Sequence, residues 1–224
     1  MKIKIYELLV MACIASGLTG CSPSRDTALT QEKVTTEDAS LPYYLDENFI
    51  PVWEGESKKI TENSHRVKSF EFTDQYGEII TSGMIKGKIH VANFFFSTCP
   101  GICPMMINGL KQVQEAFKND DKIVLLSYTV DPDTDTPDRL KKYATEHNVM
   151  HNKWHLLTGK KSDLYKHARS SYFADKDLGI KIEDDFIHTE NTFLVDEKGY
   201  IRGIYNGTQP KEMERLIEDI RHLK

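Results

Sequence analysis

Two cysteines separated by three residues stand where a predicted strand gives way to a predicted helix. Cys99 and Cys103 lie in residues 94–104, FFFSTCPGICP, directly after the nearly continuous apolar run Ile89–Phe96. Such a run is typical of a buried strand, and reactive groups gather where the strands of an open α/β sheet end. The unpaired N–H groups and the dipole of the following helix favour a thiolate over a thiol. We therefore expect both cysteines to carry chemistry.

The spacing of the two cysteines leaves two kinds of chemistry open. Cys-x-x-Cys would suggest a thioredoxin-like redox pair, whereas this chain has Cys-x-x-x-Cys. The extra residue lets the two sulfurs converge more easily on an external atom, and a disulfide still forms if the loop bends. Two soft thiolates select Cu(I) or zinc over hard cations, and they are too few for an iron–sulfur cluster. A metal ion at this pair needs a third ligand from elsewhere in the chain.

His188 is the favoured third ligand among the eight histidines of the chain. It lies in a polar segment, residues 184–189, just before the predicted strand Thr192–Val195. In a thioredoxin-like sheet this junction lies beside the loop that carries the cysteines. The sequence therefore makes His188 a candidate partner of Cys99 and Cys103.

Two other groups of potential ligands are less convincing. His147, His151 and His155 have the four-residue spacing of a helical metal stripe, but residues 154–157 favour a strand, so we interpret the spacing as coincidental. The acidic loop 131–137, DPDTDTP, fails the EF-hand pattern because its sixth position is Thr and its twelfth is Lys. Two roles remain open for this loop. Its role is either structural, as a turn that caps a helix, or functional, in orienting the site or contacting a partner.

The first 20 residues have the pattern of an export signal. Two lysines precede the apolar segment 8–18, which is too short for a transmembrane helix. Residues 18–21, LTGC, resemble a bacterial lipobox, which implies cleavage before Cys21 and its diacylation. Two acyl chains suffice for stable anchoring to a membrane. The exported domain then retains only Cys99 and Cys103, so it has no long-range structural disulfide.

Composition places the chain among ordinary globular proteins. Its 224 residues are 39% hydrophobic and 28% charged, which excludes a collagen-like or wholly disordered chain. The formal net charge of −5 argues against a broad basic face that would bind nucleic acid, so we expect no nucleic-acid partner. A small basic patch is compatible with this net charge.

The chain divides into four parts. We predict a lipoprotein signal peptide over residues 1–20 and a flexible tether, rich in Ser, Thr, Asp and Glu, over residues 21–40. Residues 41–64 are aromatic enough to be an extended arm that packs on the domain, and residues 65–224 are the domain itself.

Hydrophobic periodicity within the domain predicts alternating strands and helices. The predicted elements are a hairpin (67–73 and 78–81), a strand (89–96), a helix (105–118), a strand (123–130), a helix (137–147), a strand (154–157), a helix (162–170), a second hairpin (192–195 and 200–205) and a C-terminal helix whose core face carries Met213, Leu216, Ile217, Ile220 and Leu223. This alternation predicts one α/β domain with a central sheet.

Several motifs together resemble the Sco/SenC family, which assembles the copper site of cytochrome oxidase. The matching segments are 94–104, VDP at 130–132 with DTP at 135–137, WHLLTG at 154–159, and His188 followed by NTFLVD at 191–196. The resemblance covers residues 65–224. It implies an α/β thioredoxin-like fold with a central mixed sheet flanked by helices and an added N-terminal hairpin.

The resemblance also implies a function and a site. Cys99, Cys103 and His188 would bind copper, as Cu(I), Cu(II) or both, and Asp131 and Asp135 would support them. The protein would be a copper chaperone, anchored to a bacterial membrane and facing the periplasm or cell exterior. It would deliver copper to the binuclear site of cytochrome c oxidase subunit II. Thr134 departs from the family pattern, which often has an acidic–basic pair here, so a docking role for this loop is less well supported.

Two alternatives remain beside the chaperone, which would not itself be an enzyme. Cys99 and Cys103 could act as a redox pair that reduces the cysteines of a target through a mixed disulfide, which does not require His188. The protein could also be a redox or copper sensor. A peroxidase is disfavoured because nothing in the sequence singles out one peroxidatic cysteine.

Overall fold

The computed structural model describes residues 40–54, 60–174 and 189–224. These residues belong to one compact unit within residues 38–224. The predicted signal peptide, Cys21, the tether up to residue 39 and His188 lie outside the described residues. No helix in the described part of the chain is long and apolar enough to cross a membrane.

The described residues contain nine strands and four helices, and from residue 65 onwards these elements follow the order that the sequence predicts. They are β1 (Tyr43–Tyr44), β2 (Pro51–Val52), β3 (Glu71–Thr73), β4 (Ile79–Thr81), β5 (Ile89–Phe95), α1 (Cys103–Ala116), β6 (Ile123–Thr129), α2 (Pro137–Glu146), β7 (Trp154–Leu157), α3 (Lys161–Tyr172), β8 (Asn191–Val195), β9 (Ile201–Asn206) and α4 (Pro210–Leu223). The domain elements predicted from periodicity are therefore confirmed, with ends that differ by up to four residues.

Seven of the strands form one mixed sheet in the order β2-β1-β9-β8-β5-β6-β7. β5, β6 and β7 are parallel, whereas β8 and β9 run antiparallel to their neighbours. β5 and β6 are buried along their whole length, which explains why both read as continuous apolar runs. β3 and β4 form a separate two-stranded sheet, the predicted added hairpin, with Gly77 at positive φ in its turn.

Helices cover both faces of the sheet. α1, α2 and α4 pack on one face through apolar residues spaced three and four apart, and α3 packs on the other face together with the β3–β4 hairpin. α1 and α4 approach closely at Gly109, where an added Cβ would lie 2.7 Å from the Met213 side chain. Thr136 caps α2 by accepting a hydrogen bond from the Arg139 backbone N–H at 3.4 Å, as expected from the Thr-Pro pair.

Arg202 holds the N-terminal arm against the edge of the sheet. β1 pairs with β9, and the Arg202 guanidinium donates to the backbone carbonyls of Leu41 and Pro42. The same guanidinium lies 3.8 Å from the centre of the Tyr43 ring and 3.1 Å from an Asp196 carboxylate oxygen. A buried charge is costly unless it is paired. The buried guanidinium of Arg202 is paired with the Asp196 carboxylate and with the carbonyl oxygens of the arm.

Candidate metal and thiol site

Cys99 and Cys103 lie at the carboxyl end of β5, where the chain turns into α1. Cys103 is the first residue of α1, which begins two residues before the predicted start at residue 105. Pro104 occupies the first turn, where its missing N–H costs no hydrogen bond. The early start places one cysteine inside the helix and the other in the loop that leads into it. The two cysteines are therefore held by different local structures.

The Cys99 sulfur faces the N-terminal N–H groups of α1. Burial raises the pKa of Cys99, but hydrogen bonds from the backbone N–H groups of Cys103, Gly101 and Ile102 and from the Cys103 thiol outweigh it. The net result is a pKa below the ordinary value for cysteine. Cys99 is half-buried, so its sulfur combines thiolate character with access to solvent.

Cys103 has the opposite character. Its side chain is only 4% exposed and belongs to the apolar core between α1 and the sheet. Burial raises its pKa to about 12, and the hydrogen bond to Cys99 adds to the effect. Cys103 is consequently a thiol that donates to the sulfur of Cys99. The structure thus separates an accessible nucleophile from a buried proton donor, a distinction that the spacing alone does not show.

A buried carboxylate fixes the loop that carries Cys99. Asp135 is fully buried and accepts hydrogen bonds from the backbone N–H of Ser97 at 3.1 Å and from the Ser97 hydroxyl. It also accepts from the Thr129 hydroxyl at 2.5 Å, and Arg139 on α2 lies 3.9 Å away while donating to the Ser97 hydroxyl at 2.8 Å. These contacts tie the end of β5 to the end of β6 and to α2.

Asp131 contributes through its backbone. Its N–H donates to the Thr129 hydroxyl at 3.0 Å, and its carbonyl accepts from the Asp135 N–H at 2.8 Å. The Asp131 side chain is half-buried. The structure therefore shows that Asp131 shapes the turn that positions Asp135.

Sequence reasoning missed four residues that border the cysteines. Ser97, Thr129 and Arg139 complete the hydrogen bonds around Asp135, and Tyr143 on α2 is buried close to both sulfurs. Burial raises the pKa of Tyr143, and the nearby Cys103, Asp135 and Cys99 raise it further. Ser97 lies within the quoted cysteine segment, but nothing in the spacing identifies its partner on another strand.

The remaining candidate ligands do not gather at the cysteines. His155 lies on β7 and pairs with the buried Asp74 at 3.0 Å, while His147 ends α2 and His151 lies in the following turn. The interpretation of this spacing as coincidental is confirmed. Within residues 40–54, 60–174 and 189–224, no group of three or more His, Cys, Asp or Glu side chains is arranged to hold a metal ion. His188, the predicted third ligand, lies outside those ranges.

Comparison with known proteins identifies clear relatives. A family model described as SCO1/SenC matches residues 58–224. The chain is similar to a SCO1/SenC family lipoprotein from Bacillus anthracis strain Ames, with 29% identity, a TM-score of 0.62, and coverage of 71% of this chain and 95% of the relative. It is similar to BsSco, a member of the Sco family of cytochrome c oxidase assembly proteins with a disulfide switch, at 30% identity and a TM-score of 0.59 over 70% and 92% of the two chains.

A third solved structure contains copper. Bradyrhizobium japonicum ScoI with copper bound is 26% identical to this chain, with a TM-score of 0.56 and coverage of 71% and 99% of the two chains. The similarity to these structures confirms the predicted thioredoxin-like α/β fold, in which helices flank a mixed sheet.

Proposed function

Because this chain belongs to the SCO1/SenC family, we propose that it binds copper as cargo through Cys99, Cys103 and His188 and serves cytochrome c oxidase assembly. The observation that carries this proposal is the pair of adjacent sulfurs at the N-terminus of α1, one of which is biased towards the thiolate. Thiolates are soft ligands that select copper over hard cations.

Copper binding would change the protonation of the site. Both sulfurs bind as thiolates, and His188 would bind as a neutral imidazole. Because Cys103 has a pKa of about 12, it is protonated at neutral pH and must release its proton when copper binds. Binding therefore weakens as pH falls, by about tenfold per pH unit for each proton released.

A three-ligand site is suited to handing over its cargo. Two sulfurs and one imidazole leave copper open to ligands from a partner, so a target with more ligands can take the ion. We propose that the target is the binuclear copper site of cytochrome c oxidase subunit II. BsSco belongs to a family of cytochrome c oxidase assembly proteins, which supports a partner of this class.

Asp135 is proposed to position the site without binding copper. Its carboxylate holds Ser97, which lies two residues before Cys99, and Asp131 shapes the turn that carries it. Both therefore act on the cysteines through the loop.

The location proposed for the protein follows from its first 40 residues. Residues 1–20 would direct export, Cys21 would carry the lipid, and residues 21–40 would let the domain search near the membrane at raised effective concentration. The domain would face the periplasm or cell exterior. The description of the Bacillus anthracis relative as a lipoprotein supports this arrangement.

Copper titration of the full chain under reducing conditions tests the copper site. We expect one copper per chain, with binding lost in Cys99→Ser and in Cys103→Ser and strongly weakened in His188→Ala. His151→Ala is the matched control, because this exposed histidine lies away from the cysteines and should leave affinity unchanged. Retention of the wild-type affinity and thiolate charge-transfer band in His188→Ala would remove His188 from the site.

The unequal cysteines also favour a second function, reduction of a target disulfide. The Cys99 thiolate attacks one sulfur of the target disulfide, forms a mixed disulfide and releases one target thiolate. Cys103 then loses its proton and attacks the Cys99 sulfur, which releases the second target thiolate and leaves a Cys99–Cys103 disulfide. Two electrons pass from the cysteine pair to the target. The disulfide switch described for BsSco supports this redox couple.

Single-turnover reduction of an oxidised target peptide distinguishes the two functions. We expect the metal-free chain to reduce the peptide, Cys103→Ser to stop at the mixed disulfide, and His188→Ala to react at the wild-type rate. A requirement for His188 in this reaction would contradict the thiol mechanism.

A further inference from the structure

A lysine-lined pocket lies at the end of the sheet opposite the cysteines. Its volume is about 240 Å³, and its rim includes Lys68, Lys86, Lys88 and Lys198. His90, which is 3% exposed, also lines it. The pocket is formed where the segment before β3, the turn after β4 and the β8–β9 turn meet.

The pocket is locally positive in a chain whose net charge is −5. Two carboxylates share its lining with the four lysines. Asp196 is already paired with the Arg202 guanidinium at 3.1 Å, and Glu197 lies 3.9 Å from the Lys122 amine. The four lysines therefore outnumber the two carboxylates, one of which is held by Arg202, and the pocket suits an anion.

The direction of β5 sets the pocket apart from the cysteine site. His90 is the second residue of β5, whereas Cys99 follows the carboxyl end of the same strand. Seven residues of strand span roughly 20 Å. A surface that contacts the lysine pocket therefore leaves the cysteines free at the far end of the domain.

The N-terminal arm reaches the domain beside this pocket. The guanidinium of Arg202 contacts the carbonyls of Leu41 and Pro42 as well as Asp196, which lines the pocket. The described chain therefore begins at the lysine-rich end of the domain.

An exposed apolar side chain completes the surface. Met84 is 54% exposed in the turn after β4, between Gly83 and Ile85, which both line the pocket. Basic residues around an exposed apolar side chain are typical of surfaces that bind anionic membranes.

We propose that this pocket binds the phosphate headgroups of anionic phospholipids and holds the domain on the membrane with the cysteines facing away from it. The proposal rests on the membrane anchoring proposed above. It adds an orientation: the copper site is presented to partners that protrude from the bilayer, while the lysine-rich end stays on the lipid.

Vesicle flotation of the full chain with Cys21→Ser, which prevents acylation, tests the pocket without the anchor. The vesicles contain either phosphatidylcholine alone or equal parts of phosphatidylcholine and phosphatidylglycerol. The apolar segment 8–18 is present in every variant, so its contribution cancels in the comparison. The test variant is Lys68→Gln/Lys86→Gln/Lys198→Gln, and the control is Lys141→Gln/Lys142→Gln/Lys211→Gln, with the same charge change on exposed positions of α2 and α4.

We expect the test variant to bind phosphatidylglycerol vesicles about 100-fold more weakly than the parent, because each lysine near an anionic surface contributes about fivefold. The control should lose less than about fivefold. Met84→Ser should weaken vesicle binding. Met105→Ser is the control, because the Met105 side chain is 50% exposed but lies beside the cysteines, and it should leave vesicle binding unchanged.

Three results would overturn the proposal. The first is an equal loss of vesicle affinity in the two triple variants, and the second is equal binding of the parent to both kinds of vesicle. The third is abolition of vesicle binding by millimolar inorganic phosphate, which would indicate a site for a soluble anion. Copper titration of the same variants keeps the two proposals separate. The lysine variants should retain wild-type copper affinity whether or not the vesicles bind.

Discussion

Removal of the Asp135 carboxylate should loosen the cysteine loop and lower stability. In Asp135→Ala, the Ser97 backbone N–H and the Thr129 hydroxyl both lose their acceptor. The Ser97 hydroxyl also loses its acceptor, but Ser97 is half-buried and its hydroxyl can rotate towards solvent, so it is left out of the sum. Each buried donor left unpaired costs about 1–3 kcal/mol. The sum predicts a loss of about 2–6 kcal/mol in the free energy of unfolding. Asp135→Asn, which keeps one acceptor oxygen, should lose about half as much.

Urea unfolding of the metal-free chain measures this change. Asp133→Ala is the matched control, because it removes an exposed carboxylate from the same loop and should change stability by less than about 0.5 kcal/mol. An Asp135→Ala value within that range would refute the view that Asp135 holds the loop.

A second readout separates a local effect on the site from general loosening. The Asp135 charge helps to raise the pKa of Cys103, after the larger effect of burial. In a Cys99→Ser background, Asp135→Asn should therefore shift the pH profile of Cys103 alkylation to lower pH. An unchanged profile would mean that the Asp135 charge is not felt at the sulfur.

Three further predictions concern reactivity, packing and acid stability. At neutral pH, iodoacetamide should modify Cys99 before Cys103, because the pKa of Cys99 is lowered and that of Cys103 is raised. Mass spectrometry of the quenched reaction measures the order of modification, and modification of Cys103 first would contradict the prediction. Gly109→Ala should cost about 1–3 kcal/mol in urea unfolding because its Cβ would lie 2.7 Å from Met213, and a neutral result would show that α1 and α4 separate freely. Burial lowers the pKa of His90 to about 3, so the unfolded chain binds a proton near pH 6.5 that the folded chain does not, and stability is lost as pH falls from there towards 3. His90→Phe should make that loss shallower by about 1.4 kcal/mol per pH unit, and an unchanged slope would contradict this assignment.

Local patterns predicted the elements well because each pattern reports the burial of its own segment. The apolar run from Ile89 ends one residue later in the prediction than in β5, and Thr136 with Pro137 marks the start of α2 correctly. The sequence predicts that α1 starts at residue 105, whereas the helix begins at Cys103. Apolar spacing does not mark this start, because Pro104 in the first helical turn is compatible with the helix and contributes no apolar repeat.

Features that depend on pairing between distant segments could not be read from the sequence. Nothing local to Tyr44 indicates that it pairs with Ile201 at the sheet edge. Likewise, the sequence leaves open whether the loop 131–137 orients the site, and it does not show that Asp135 bonds to Ser97 and Thr129 on two other elements. The different protonation of the two cysteines arises from burial and from the position of the helix start, neither of which the spacing encodes.

X-ray absorption at the copper edge of the loaded full chain tests directly whether Cys99, Cys103 and His188 bind copper together. Binding by these three residues predicts one copper per chain with two sulfur neighbours and one imidazole nitrogen, and loss of the imidazole signal in His188→Ala but not in His151→Ala. Copper that is bound without sulfur neighbours, or that keeps the same surroundings in Cys99→Ser and Cys103→Ser, would contradict it.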